Sequence, residues 1–261
     1  MGYRTLTLET KGPLAFLRLA RPERGNPIDG LFLRELEEVC AVVSDDPQVR
    51  VVILTAEGDV FSLGWDPAEL SPEGLDPPPK AGRWREASLP FAGLEAMGQP
   101  VVCALNGDAT SAGLELALAC DVRLAAEGAR FTLPETAQGL IPMAGGTQRL
   151  PRLVGRAHAL HLILLAEPID AEEARRIGLV NTVVPAARLL AEAEALVLRM
   201  ASRGPIALRY AKEAVRRGLE QPLDQALRFE TDLTVILQTT EDRAEGVRAF
   251  MEKRAPKFKG R

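Results

Sequence analysis

Three observations predict an α/β fold assembled from stacked βα units. The runs VRVVILTA (49–56) and VVCALN (101–106) are continuous and apolar, as expected of strands covered on both faces. Helical periodicity separates such runs. It is clearest over 31–44, where Phe32, Leu36, Val39, Cys40 and Val43 form one stripe. From Ala186 onward only helical spacing remains, so the repeating units end in an all-helical C-terminal part.

Taken in order, residues 3–8 and 14–20 predict a hairpin turning at Lys11-Gly12-Pro13. Pro22 and Pro27 make RPERGNPIDG a loop, and Asp45-Asp46-Pro47 ends the first helix. Pro72, Pro77, Pro78 and Pro79 predict a mobile loop over 71–80, followed by a helix over about 83–97. Further strands are expected at 121–126 and 179–184. In the helical part, Leu189, Ala193, Leu196, Val197 and Met200 share a stripe, as do Ala207, Ala211 and Val215, and then Leu223, Leu227, Leu233 and Leu237. Glu230 falls in the last stripe and reads as a paired charge at a helix or subunit contact.

The 261 residues suffice for one substantial core, and 46% hydrophobic with 26% charged residues is an ordinary globular balance. A formal net charge of −4 argues against nucleic-acid binding, although Lys253, Arg254, Lys257, Lys259 and Arg261 form a basic run suited to a phosphorylated small ligand. Cys40, Cys103 and Cys120 show no C-x-x-C spacing. With an N-terminus that alternates like a strand, they predict a reduced, cytoplasmic compartment. Leu6 stands where a myristoylation motif wants Ser or Thr, and no apolar run reaches membrane-spanning length. His158 and His161 lack a third ligand, so no metal site is expected.

The chemistry concentrates between Pro100 and Leu150. In Asn106–Glu115, small residues at 111–113 leave the backbone open, and Ser111 is a candidate N-cap for a helix through Leu114 to Cys120. Free N–H groups at such a helix start stabilise negative charge, including that of an enolate oxygen. Glu115 and, 20 residues on, Glu135 are carboxylates in an apolar setting, where burial is costly unless they are paired or used. Two readings stay open at this point. Each acid is satisfied separately by an Arg or backbone donor, or the pair holds one water and divides the roles of acid and base.

The segment NGDATSAGLELALACDVRLAAEGARFTLPETAQGLIPMAGGTQRLPRLVG resembles the signature of the enoyl-CoA hydratase/isomerase (crotonase) family. Arg21-Pro22 with Asn26 resembles that family's CoA-binding loop, and Phe61-Ser62-Leu63-Gly64-Trp65-Asp66 its first oxyanion loop. Ala174, Gly178, Leu179 and Val180 match a later turn, and FMEKRAPKFKGR the C-terminal helix end. The resemblance implies a crotonase-like spiral of repeated ββα units over 1–198 carrying the active site. A C-terminal helical oligomerisation region over 199–261 completes it, in a homotrimer or homohexamer.

By the same resemblance, the N–H groups of Trp65 and Ala112 hold a thioester carbonyl, with Ser111-Ala112-Gly113 replacing the usual three glycines. Glu115 and Glu135 position a water that adds to the β-carbon, and Glu135 protonates the α-carbon. The implied CoA contacts are Arg24, Asn26, Asp66, Phe250 and Lys253, the last from an adjoining subunit. Ala68 replaces a CoA-contacting lysine of some relatives. Trp65, Met143, Gly113 and Leu114 are the implied acyl pocket, where Trp65 replaces an often small residue and Met143 a usual glycine. No tightly bound cofactor is implied, because the substrate arrives as its CoA thioester. Isomerases of the family typically lose the first glutamate, so retention of both favours hydration. An isomerase remains the nearest alternative, ahead of a non-catalytic acyl-CoA-binding scaffold and of RNA binding through the basic run.

Overall fold

The structure, a computed structural model, describes residues 2–69 and 89–261. The expected loop over 71–80 and the first part of the helix expected over 83–97 lie outside them. In chain order the elements are β1 (Leu6–Lys11), β2 (Leu14–Leu19), α1 (Gly30–Asp45), β3 (Val51–Ala56), α2 (Leu89–Ala96), β4 (Val101–Leu105) and β5 (Ala109–Thr110). They continue with α3 (Ala112–Leu118), β6 (Val122–Ala126), β7 (Arg130–Thr132), α4 (Gly146–Leu165), β8 (Ile169–Asp170), α5 (Ala171–Arg176) and β9 (Thr182–Val184). Four helices close the chain: α6 (Leu189–Ala201), α7 (Pro205–Gly218), α8 (Leu223–Gln238) and α9 (Glu241–Met251).

The main sheet has the order β1-β2-β3-β4-β6-β9, parallel except for the β1–β2 hairpin. Its alternating side chains feed two cores. Leu14, Phe16, Val51, Ile53, Val102 and Ala104 pack on Leu189, Ala193, Val197 and Ala201 of α6. On the opposite face Leu17, Val52, Leu54, Cys103 and Leu105 share a core with Phe32, Leu36, Val39 and Val43 of α1 and with all-buried α3. Covering both faces is what makes β3 and β4 continuously apolar. No helix among the described residues is long and apolar enough to cross a membrane.

The first strand begins three residues later than its alternation predicts. Glu35 of α1 intercepts the preceding backbone: Arg4 N–H donates to its Oε1 at 2.9 Å and Thr5 N–H to its Oε2 at 2.8 Å. Those donors are thereby withdrawn from the ladder.

Because β2, β3 and β4 run parallel, the loops after them emerge at the same sheet edge, where open α/β sheets place their ligands. A second small sheet sits there. β5 pairs with β7 in parallel (Ala109↔Phe131, Thr110↔Thr132), and β8 extends it antiparallel.

Asn26 ties two of these loops together. It is buried with φ +52, its Oδ1 accepts from Arg21 N–H at 2.9 Å, and its Nδ2 donates to the carbonyls of Glu57 (2.9 Å) and Val60 (3.1 Å). Its own carbonyl accepts from Ser62 Oγ at 2.8 Å. The expected CoA contact through this side chain is therefore corrected: the amide is consumed inside the protein.

The C-terminal helices separate from the stripes the sequence suggests. Leu233 is buried, but Leu223 and Leu227 of the same stripe are exposed, as are Val215, Leu219, Phe250 and Met251. Two of the five side chains of the basic run are paired: Arg254 with Glu245 and Glu252, and Arg261 with Glu241. The N–H groups of Lys259 and Gly260 donate to Asp242, and Arg50 donates to the carbonyls of Ala201 and Phe258, folding the tail back onto the chain.

Asn26→Ala removes the partner of the half-buried Arg21 N–H and of the Glu57 carbonyl, leaves the Val60 carbonyl only its longer bond from Asn106, and places alanine at positive φ. The expected loss is about 2–4 kcal/mol in urea unfolding. A change under about 0.5 kcal/mol would show that the loop anchor is not what it looks like.

Candidate active site

The site begins with a close approach. Phe61 and Ser62 N–H groups donate to the Asp108 carbonyl, Thr110 N–H donates to the Ser62 carbonyl at 2.9 Å, and Ser62 bridges to Ala109. This clamps the 57–66 loop against the 106–111 loop. A Cβ on Gly113 would lie 2.6 Å from Ser62 Cβ and 2.7 Å from its carbonyl oxygen. Gly113 is therefore a close contact between the two loops. On the other side, Ile28 N–H donates to the Gly64 carbonyl and Asp66 N–H to the Ile28 carbonyl, both at 2.8 Å. Trp65 lies between these two bonds.

Among the described residues, no acceptor is bonded to the N–H of Trp65 or of Ala112. Both residues are buried, Trp65 also with its indole N–H unpartnered. Two unused backbone donors thus lie on adjoining loops, and unpaired buried donors are costly enough to need a reason.

Ser111 departs from its expected role. It precedes α3 at φ +53, ψ −130 and its hydroxyl makes no capping bond. This conformation is strained for a residue bearing a Cβ. It is held by Ser111 N–H donating to the Thr132 carbonyl and by the Ser111 carbonyl accepting from Glu115 N–H. The β5–β7 pairing continues through that contact, laying the chain that leads to Glu135 alongside the start of α3. The Ser111 hydroxyl is turned toward Glu135, where it favours the charged carboxylate.

Glu115 is fully buried on the first turn of α3. Its Oε1 accepts from Ala144 N–H at 2.8 Å and Gly146 N–H at 2.7 Å, while Oε2 has no partner. Neither oxygen of Glu135, 3% exposed, has a bonded partner. Burial pushes Glu115 up to about 7, assisted by the charge of Glu135 and opposed by the two N–H bonds and by Arg149. Burial also raises Glu135. The reading in which each acid is separately satisfied fails for three of the four oxygens. What the sequence left unseen was the source of the two N–H bonds, although Gly145-Gly146 ahead of a helix was the available signal.

The remaining expected residues divide. Leu114 and, half-buried, Met143 belong to the larger core around α3. Arg24, about half exposed, donates to Asp66 Oδ2 at 2.7 Å, and Asp66 Oδ1 accepts from Ala68 N–H. Asp66 thus braces its own loop and fixes the Arg24 guanidinium. Phe250 and Lys253 are exposed on α9 and just beyond it, and no described bond joins them to the 106–146 region.

Comparison with known proteins accords with this geometry. The family model described as enoyl-CoA hydratase/isomerase matches residues 9–261. A crotonyl-CoA hydratase from Syntrophomonas wolfei is 39% identical over 259 residues, covering 99% of each chain. An (E)-benzylidenesuccinyl-CoA hydratase from Thauera aromatica is 37% identical, covering 98% of this chain and 99% of the relative. The crystal structure of an enoyl-CoA hydratase from Bacillus anthracis superposes with a TM-score of 0.93 at 37% identity, covering 99% of this chain and all of that one. With the family model matched over residues 9–261 and the crotonase fold shared, the chain belongs to the enoyl-CoA hydratase/isomerase family.

Proposed function

We propose that this protein is an enoyl-CoA hydratase, a hydro-lyase that adds water across the 2,3 double bond of an enoyl-CoA thioester. The observation that carries the reading is the Glu115/Glu135 pair: two buried acids with three unbonded oxygens beside two unused N–H donors. An isomerase needs one group to move a proton along the chain, whereas addition of water needs both an acceptor for the water proton and a donor for carbon.

In the proposed reaction the thioester carbonyl accepts from Trp65 and Ala112 N–H. Glu115, whose Oε1 is already bonded twice, uses Oε2 to take the proton of the attacking water. Glu135 delivers a proton to the α-carbon, and Glu115 acts as the base in its ionised form. Charge accumulates on the thioester oxygen as the β-carbon is attacked, and each N–H aimed at it contributes about 3–4 kcal/mol to the transition state. The chemistry asks for no tightly bound cofactor.

Arg24, braced by Asp66, is the contact this chain offers to the CoA phosphates. Phe250 and Lys253 reach a CoA only across a subunit boundary. The exposed Leu219, Leu223, Leu227, Phe250 and Met251 fit burial in a homotrimer or in a hexamer of two trimers. Light scattering is expected to give three or six times the chain mass, and a monomer at micromolar concentration would remove Phe250 and Lys253 from the site. Three free thiols fit the cytoplasm. The acyl group is set by Trp65 and Met143, so linear, branched and aryl enoyl-CoAs form the substrate panel.

Glu115→Ala and Glu135→Ala are each expected to lower hydration at least about 100-fold, a typical worth of one positioned acid or base. Near-parental turnover by Glu115→Ala would end the two-acid mechanism.

The raised Glu115 also links activity to stability. Between its ordinary range near 4.5 and about 7, the folded protein holds a proton that the unfolded chain releases, so stability falls as pH rises through that window. Glu115→Gln is expected to match the parent near pH 4.5 and to exceed it by on the order of 3 kcal/mol above neutrality. Urea unfolding across pH 4.5–8 measures the difference, and a pH-independent offset would contradict the burial argument.

A further inference from the structure

We infer that Arg149 is a positioning residue for Glu115, acting through the backbone of the 142–146 loop and anchored by Glu95. The inference rests on the proposed catalytic use of Glu115. The N–H groups that hold Glu115 Oε1 belong to Ala144 and Gly146, so the peptide unit between them decides whether both can point at one oxygen. Arg149 locks that unit and its neighbour. Its Nη1 donates to the Ala144 carbonyl at 2.9 Å, and its own backbone N–H donates to the Gly145 carbonyl at 2.7 Å. The second bond is the ordinary first turn of α4, so the guanidinium bond to the Ala144 carbonyl is the contribution particular to arginine.

The guanidinium is in turn fixed from α2. Nε and Nη2 donate to Glu95 Oε2 at 3.3 and 3.0 Å, with the Arg149 side chain only 17% exposed. Gly145 makes room for it: at φ +107, a Cβ there would lie 1.9 Å from Arg149 Nη1. Arg149 fills the space a side chain at 145 would take. The ionisable groups acting on Glu115 are Glu135, from the segment after β7, and Arg149, from α4. On α3 itself Glu115 is the one titratable residue. Arg149 thus supplies both the geometry of the two N–H bonds and the positive charge that offsets Glu135.

The test uses the full-length chain with glutamate carbon-13 labelled at the side-chain carboxyl, the Glu115 signal being assigned by its loss in Glu115→Gln. Crotonyl-CoA hydration is measured in parallel. Arg149→Met is expected to raise the Glu115 titration midpoint by about one pH unit or more and to lower kcat about 100-fold, with KM nearly unchanged. Arg149→Lys keeps the charge but cannot bridge carbonyl and carboxylate in one fork, so the midpoint returns toward the parent while kcat stays at least about tenfold low. Glu95→Gln is expected to move both readouts in the direction of Arg149→Met, by less. A folded Arg149→Met with parental midpoint and kcat overturns the inference. If that variant does not fold, parental values in Glu95→Gln overturn it. Shifted midpoints in a protein that hydrates no enoyl-CoA would instead uphold Arg149 as the support of Glu115 and reject the hydratase reading.

Discussion

Burying the Glu115 carboxylate on a helix whose every residue is buried is the constraint on which the site depends. Desolvation alone drives such a group to hold its proton, which would leave it unable to take one from water. The compensation is partial: one oxygen receives two backbone N–H bonds and the other receives none. That division leaves a basic oxygen held in a fixed direction. Full satisfaction would have made the carboxylate inert, and no satisfaction would have kept it protonated.

The surrounding fold can be understood as the means of delivering those bonds. Parallel β2, β3 and β4 bring three loops to one edge, Asn26 joins the first to the second, and the Ser62–Gly113 contact joins the second to the third. The β5–β7 pair then brings Glu135 to the start of α3, and α4 begins where its first peptides meet Glu115. Each connection is a backbone bond or a close approach rather than a flexible ion pair. This suits a site that must hold reacting atoms to within a fraction of an ångström. Stability is given up in return, through a strained Ser111 and several unpaired buried atoms.

The residues best read in advance were those whose chemistry is local. The helix over Gly30–Asp45 and the strands at 51–56 and 101–105 follow from periodicity and burial on both faces, and they were legible to within two residues. Asn26 and Asp66 were legible as members of important loops, but their use was not. Both turn inward because their partners, the Glu57 and Val60 carbonyls and Arg24, come from 31, 34 and 42 residues away in the chain. The pairing within the basic C-terminal run was hidden for a similar reason. Its arginines meet acids on α9 once the chain folds back, and a count of charges along the sequence does not record that closure.

By itself, the sequence determined the α/β alternation and the identity of two acids placed among small apolar residues, because those follow from side-chain type and spacing; the family came from the resemblance of the 106–155 segment. Tertiary structure alone decided that one Glu115 oxygen is held while its neighbour is free, and that Arg149 bonds both the Ala144 carbonyl and Glu95. These facts depend on where backbone N–H and C=O groups point. Every residue but proline carries the same pair of groups, so their direction is written in the fold and not in the alphabet of side chains.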